Sequence, residues 1–310
     1  MMKGMGMRLV FAGTPEVALP ALETLMASRH DVVAVITRPD APAGRGRHLT
    51  PSPVAARAQE LGLPVLKPAR PRDEDFVAEL TRLAPDACPV VAYGALLPQQ
   101  VLDIPRLGWV NLHFSVLPRW RGAAPVQRAI MAGDDSIGTT CFRIVAELDA
   151  GDVYRTSSIT MPDATAGELL AILADSGAGQ LLESIDAMEA GETPTPQPHD
   201  GITVAPKVTV ADARIDWSHP ARRIRNQVMG CSPDPGAWCE LDGQRFKVYR
   251  ARVAQQSEPG SCGRLRHTKH EVFVAAGDAE LELLEVQPAG RKRMPAIDWA
   301  RNITAGKALE

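Results

Sequence analysis

No apolar run in the 310-residue chain approaches the length that crosses a bilayer. The opening stretch, Met1 to Gly6, carries one lysine and no apolar segment, so it does not read as a secretory signal. Cysteine is scarce. The five present, Cys88, Cys141, Cys231, Cys239 and Cys262, are odd in number, scattered, and accompanied by no CxxC pair or histidine cluster. That pattern disfavours a disulfide framework and a metal site, and fits reduced thiols in a cytoplasmic protein. Glycine-rich phosphate loops are missing as well. The first strand-turn-helix signal, Ala12-Gly13-Thr14-Pro15-Glu16-Val17, has one glycine where a dinucleotide fold needs G-x-G-x-x-G to let its backbone approach a pyrophosphate. Nicotinamide redox chemistry and P-loop nucleotide hydrolysis are therefore disfavoured, and no repeat of solenoid length is present.

Hydrophobic residues make up 45% of the chain and charged ones 23%, the balance of a folded protein with a substantial core, and the length suits two domains. The net charge of −3 hides an asymmetry. Residues 1–206 hold 17 Lys+Arg against 24 Asp+Glu, whereas 207–310 hold 17 against 13. A basic last third on an acidic remainder suits either contact with a polyanion or a solvated surface rich in arginine.

The first two thirds alternate strand-like and helical runs. Strands are expected over Arg8–Ala12, Val32–Thr37, Pro64–Leu66, Ala87–Ala92, Trp109–His113, Cys141–Val145 and Val153–Ile159. Helices are expected from Pro15 to Ser28, over Val54–Leu61 and Phe76–Leu83, and over Ala166–Ala190. This succession implies a doubly wound, mostly parallel, Rossmann-like α/β sheet across 1–190. Residues 191–206, with GETPTPQPHDG, read as an extended linker. Beyond it, a helix over Pro220–Met229 and short strands over Trp238–Leu241, Phe246–Ala251, Val272–Ala275 and Leu281–Val286 suggest an OB-like β-barrel over 207–310, with Trp217 and Trp238 in its core.

The chemistry-bearing stretch is Asn111-Leu112-His113-Phe114-Ser115-Val116-Leu117-Pro118-Arg119-Trp120-Arg121-Gly122-Ala123-Ala124-Pro125. Asn111 and His113 lie two apart at the carboxyl end of a strand, so both side chains leave one face where open α/β sheets place ligands. An amide and an imidazole side by side can stabilise a carbonyl oxygen that becomes negative. Alone, the pair equally fits a turn cap and a core histidine. The second signal, Leu148-Asp149-Ala150-Gly151-Asp152, alone equally fits a surface turn.

Together, N-x-H-x-S-x-L-P and a later L-D-x-G-D resemble the folate-dependent formyltransferase family. The continuation Arg119 to Ile130 (RWRGAAPVQRAI) is similar to the branch whose acceptor is methionyl-tRNA, as are Phe11 to Leu22, Arg38 to Val54, Ala213 to Trp217 and Leu283 to Met294. The resemblance spans nearly the whole chain. It implies transfer of the formyl group of 10-formyltetrahydrofolate to the α-amine of methionyl-initiator tRNA, with no part for DNA, membrane or metal. Asn111, His113 and Asp149 match the family's catalytic residues, with a protonated His113 helping Asn111 hold the oxyanion and Asp149 relaying a proton. Ser115, Val116, Leu117 and Pro118 match its folate-contacting segment, bordered by Tyr93-Gly94. The inserted basic loop Arg38 to Pro53 implies contact with the tRNA acceptor end through Arg45 and Arg47, with His48 where a second lysine is common. Glu147 stands where glycine is common and bears on the backbone entering Asp149. Within the same resemblance, a small-amine formyltransferase and a formyl-folate hydrolase are the rival activities, and an RNA-binding module on an inactive scaffold is a third.

Overall fold

Arg8–Gly13 is buried at every position after Arg8, as a parallel strand covered on both faces requires. This is β1. The computed structural model describes residues 6–43, 48–258, 260–301, 303 and 307–310. In chain order the next strands are β2 (Asp31–Ile36), β3 (Ala41–Ala43), β4 (His48–Thr50), β5 (Val65–Leu66), β6 (Cys88–Val91), β7 (Trp109–His113), β8 (Ser136–Arg143) and β9 (Val153–Thr160). Seven of them form one sheet in the order β5-β2-β1-β6-β7-β8-β9, while β3 and β4 pair with each other. β5, β2, β1, β6 and β7 run parallel, and β8 runs antiparallel to β7. The chain builds outward through β1, β2 and β5, then returns to lay β6 on the other side of β1. This reversal is a topological switch point, where open α/β sheets bind ligands at the carboxyl ends of their strands. The Rossmann-like sheet expected from the sequence is the one observed.

The helices are α1 (Leu19–Ala27), α2 (Pro53–Glu60), α3 (Glu74–Leu83), α4 (Gln99–Leu102), α5 (Pro125–Ala132), α6 (Ala166–Glu189), α7 (Ala221–Gly230) and α8 (Ala296–Ala300). In α3 the 3.6-residue period buries Phe76, Leu80 and Leu83, with Glu74 and Asp75 in its first turn and Arg82 in its last, as the helix dipole favours. α6 opens on a reciprocal cap: the Thr165 backbone N–H donates to Glu168 Oε2 at 2.8 Å and Glu168 N–H to Thr165 Oγ1 at 3.4 Å.

Two expected boundaries move. The helix foreseen from Pro15 is a short 3-10 turn over Glu16–Ala18 followed by α1, whose first turn holds Pro20 instead. The strand foreseen over Cys141–Val145 is β8, which starts at Ser136 and ends at Arg143. A Cβ at Gly138 would lie 1.9 Å from the Ser157 carbonyl oxygen of β9, so the glycine serves close strand approach.

The chain divides into two compact units that do not follow its order: residues 123–137 and 160–169 group with 205–310, and 191–204 group with the first unit. The Pro-rich stretch expected to be a linker is extended, and it is paired: Thr195 bridges Val153, and Val204 bridges Arg121. In the second unit β10 (Ala237–Leu241), β11 (Gln244–Val253), β12 (Leu265–His267), β13 (Val272–Ala275), β14 (Glu280–Gln287) and β15 (Met294–Pro295) form an antiparallel sheet in the order β10-β11-β14-β13-β12, with β15 on β14. The two edges are joined by residues 307–310. Glu240 and Glu310 exchange backbone hydrogen bonds of 2.8 and 2.9 Å on the β10 side. On the β12 side, Leu265 N–H donates to the Lys307 carbonyl at 2.8 Å and Leu309 N–H to the Gly263 carbonyl at 2.9 Å. The sheet thereby closes into the barrel foreseen from the sequence and has no open edge there. Gly263 permits this, since a Cβ on it would lie 2.2 Å from the Leu309 carbonyl oxygen.

Leu309 is buried in the core of this unit among Cys239, Phe246 and Leu265. Leu309→Ala should destabilise the second unit by about 2–5 kcal/mol. Urea unfolding followed by the fluorescence of the tryptophans buried there, Trp217 and Trp299, checks this.

Candidate active site

β7 delivers two of the expected residues. Trp109, Asn111 and His113 alternate onto one face, with Leu112 on the other packed against Gly177 of α6. Asn111 pairs with Val90 of β6 and Phe142 of β8. It is half-buried, and its carboxamide makes no hydrogen bond among the described residues. His113 is buried, with one nitrogen hydrogen-bonded and the other facing a carboxylate. Nε2 lies 2.9 Å from the Trp120 carbonyl oxygen, which can only accept, so Nε2 carries the proton. Nδ1 faces Asp149 Oδ2 at 3.8 Å. The Phe142 ring meets the imidazole edge to face at 6.3 Å between centroids.

Asp149 reaches His113 from the turn between β8 and β9. Its backbone is left-handed, with φ of 49°, a region Asp tolerates better than most residues. Its Oδ2 accepts the Gly122 N–H at 2.7 Å, and its own carbonyl accepts from Gln197 Nε2 at 2.8 Å. Trp120 is also left-handed, with φ of 64°, and its N–H donates to Thr203 Oγ1 at 2.8 Å. The structure thus brings His113 and Asp149 together and places Asn111 two residues along the same face.

Burial pushes the His113 imidazole below its ordinary 6.5, against the opposing pull of the Asp149 carboxylate and the Trp120 carbonyl. The resting imidazole is neutral near pH 7. Charging a ring so removed from water is opposed by its burial and favoured by the carboxylate 3.8 Å away.

The expected folate-contacting segment is mixed. Ser115 is fully buried, donating its hydroxyl to the Arg119 carbonyl at 2.7 Å, while its own carbonyl accepts from Thr140 Oγ1 at 2.7 Å. Leu117 is buried with its N–H on Thr140 Oγ1 at 3.1 Å. Val116 is exposed and Pro118 half-buried, so these two present the surface that a ligand can meet. Tyr93 lies at the carboxyl end of β6, where its carbonyl accepts from Thr14 Oγ1 at 2.8 Å.

The expected tRNA-reading residues Arg45 and Arg47 lie outside the described residues. The two ends of their insertion are anchored: Thr37 Oγ1 bonds Ser52 Oγ at 2.7 Å, Ser52 caps α2 through the Ala55 N–H at 3.0 Å, and Lys67 pairs with Asp40 at 2.6 Å. His48, in β4, is exposed. One further cluster, His30, Asp186 and Glu189, has the ligand types of a metal site. There, Nδ1 of His30 accepts the Met7 N–H at 3.1 Å, Nε2 lies 3.1 Å from Asp186, and Arg29 bonds both carboxylates, which is the wiring of an ion-pair cluster.

The formyl transferase family model matches residues 7–185, and the model of the formyl transferase C-terminal domain matches 207–304. The chain belongs to the formyl transferase family. Among relatives of this formyl transferase, proteins named methionyl-tRNA formyltransferase from Streptomyces griseus and a Nocardioides species are 55% and 56% identical over 300 and 302 residues. The alignments cover 96% of this chain and 97% of the first, and 95% of each for the second. The crystal structure of HypX from Aquifex aeolicus in complex with tetrahydrofolic acid shares the fold, with a TM-score of 0.69 at 18% identity over 96% of this chain and 47% of that one. What the sequence did not reveal in this family member is the support behind the pair: the Trp120 carbonyl, Thr203 and Gln197. Backbone atoms leave no residue-type signal, and Gln197 sits in a proline-rich run that reads as a linker.

A pH dependence of stability follows. The folded-state value of His113 lies below the unfolded one, so below about 6.5 the unfolded chain binds a proton that the native chain refuses. Stability present at pH 7.5 is lost as pH falls toward 5.5, with a slope of at most about 1.4 kcal/mol per pH unit from this group. Urea melts across that range should show a shallower pH slope for His113→Gln than for the native chain.

Proposed function

We propose that this formyl transferase moves the formyl group of 10-formyltetrahydrofolate to the α-amino group of methionyl-initiator tRNA in the cytoplasm. The observation that carries the reading is the His113–Asp149 pair beside the unpartnered Asn111 amide, in a chain similar along both its units to the relatives described above. The amine nitrogen attacks the formyl carbon, and the carbonyl oxygen becomes an oxyanion. The Asn111 amide is free to donate to it, a contribution worth about 10²–10³ in rate. Neutral His113 accepts the proton shed by the nitrogen at Nδ1, and the imidazolium so formed faces the Asp149 carboxylate. As the bond to the folate nitrogen N10 breaks, that nitrogen takes a proton from the same pair, directly or through water. Val116 and Pro118, with Tyr93-Gly94 beside them in the reading, contact the folate.

The chemistry is assigned to residues 1–190 and additional tRNA attraction to 207–310, joined by 191–206. Ion pairing sorts the basic residues of the C-terminal part. Arg225, Arg250, Arg252 and Arg293 are paired with Asp163, Glu168, Glu282 and Glu285. Arg222, Arg223, Arg245 and Arg291 make no ion pair among the described residues and are exposed, as is Lys207. Arg245 stacks over Trp238 at 4.2 Å and Arg214 over the same ring at 5.4 Å. Trp238, expected in the barrel core, is half-buried and carries this stack, whereas Trp217 is buried. Unpaired arginines are the ones whose phosphate contacts release counterions without first breaking an internal bridge.

Incubation with 10-formyltetrahydrofolate and charged initiator and elongator methionyl-tRNAs should give formyl-methionine on the initiator. Formylation of a small amine instead, or formate release without any acceptor, would replace this reading by the corresponding rival. Arg45→Ala should harm the tRNA reaction and leave folate binding intact, as read by folate titration. Arg245→Ala should lower the salt slope of tRNA binding by about one, while Arg252→Ala leaves the slope unchanged.

A further inference from the structure

The segment 191–204 carries two side chains to the backbone that fixes His113 and Asp149. Thr203 receives the Trp120 N–H on its hydroxyl at 2.8 Å and the Arg121 N–H on its carbonyl at 2.9 Å, which holds the peptide whose oxygen orients His113. Gln197 acts on the other partner. It is buried, and its Nε2 donates to the carbonyls of both Asp149 and Gly151 at 2.8 Å. Its Oε1 accepts from Arg121 Nη2, also at 2.8 Å. Arg121 in turn reaches Glu147 through Nη1 at 3.2 Å. The amide has one permissible orientation here, because two carbonyls can only accept and a guanidinium can only donate. A carboxylate at 197 would turn an acceptor onto two acceptors, and an apolar side chain would remove the bond to each carbonyl and to Arg121 Nη2.

Resting on the catalytic assignment of Asp149 made above, we infer that Gln197 is a positioning residue of this enzyme, clamping the left-handed Asp149 turn so that its carboxylate faces His113. The turn needs such a clamp. A non-glycine residue at positive φ persists only where its surroundings over-determine it. The clamp bridges Asp149 and Gly151 in a single nitrogen, which fixes the curvature of the turn across three residues. Glu147, where glycine is common, is the outer end of the same chain of contacts: through Arg121 it helps to aim Oε1 of Gln197 and so Nε2.

The test uses the full chain, 10-formyltetrahydrofolate and charged initiator tRNA. Gln197→Glu keeps the acceptor for Arg121 and removes the donation, whereas Gln197→Met removes both. Each should lower kcat by about 10–100-fold, the cost of a small misplacement at a reacting centre. The KM values for both substrates should stay within about three-fold, because neither is bound by Gln197. In an Asp149→Asn background the same substitutions should lower kcat by less than about two-fold, since a group acting through Asp149 has nothing left to position. A full additional loss in that background, or a Gln197→Glu enzyme of native kcat, overturns the inference. If a substituted chain loses its native thermal transition, the comparison is made with Gln197→Glu on the fraction that retains it. A fully active Asp149→Asn enzyme would instead sink the catalytic assignment beneath.

Discussion

In the proposed mechanism, proton movement depends on one buried imidazole set between a carbonyl and a carboxylate. The Trp120 oxygen accepts a hydrogen bond from Nε2–H and thereby decides which nitrogen of His113 is free. Nδ1 then points its lone pair toward Asp149, so a proton arriving there is met by a negative charge. Burial keeps the ring neutral until that happens. A histidine in water would be partly charged at rest and would face no fixed counter-charge. In the proposed mechanism this makes an ordinary base into one that is empty beforehand and stabilised afterward.

This arrangement explains why strained backbone and a proline-rich strap occur together. Trp120 and Asp149 both adopt left-handed conformations, and each presents an atom to His113. Neither conformation is intrinsically favoured, and both are secured from the same stretch of chain through Thr203 and Gln197. Proline suits that stretch because it holds an extended path without a helix or strand competing for its amides. The segment thus serves as the rear support of the proposed site, and it groups with the first unit.

The second unit solves a different problem. Five main strands in the order β10-β11-β14-β13-β12 would leave two open edges, and residues 307–310 bond to both. Seven of the 17 lysines and arginines of 207–310 pair with acids of the same unit among the described residues. Polyanion affinity is then a property of the unpaired arginines, and net charge alone overstates it.

The parallel sheet, the barrel strands, and the pairing of Asn111 with His113 were readable in the residues, because periodic burial and alternate side-chain direction are local properties of the chain. The motif resemblance added Asp149, which spacing alone could not have joined to His113. Tertiary structure decided the rest. It determined that His113 rests neutral, since desolvation depends on what surrounds the ring and not on its neighbours in sequence. It withdrew the Ser115 hydroxyl into an internal hydrogen bond, leaving Val116 exposed in the same segment. It hydrogen-bonded the proline-rich stretch to Asp149 and Trp120, and placed the start of β8 at Ser136. These outcomes share one physical reason: side-chain hydrogen bonds and burial arise only when the folded chain brings their partners together, and no local pattern of residue types encodes the meeting.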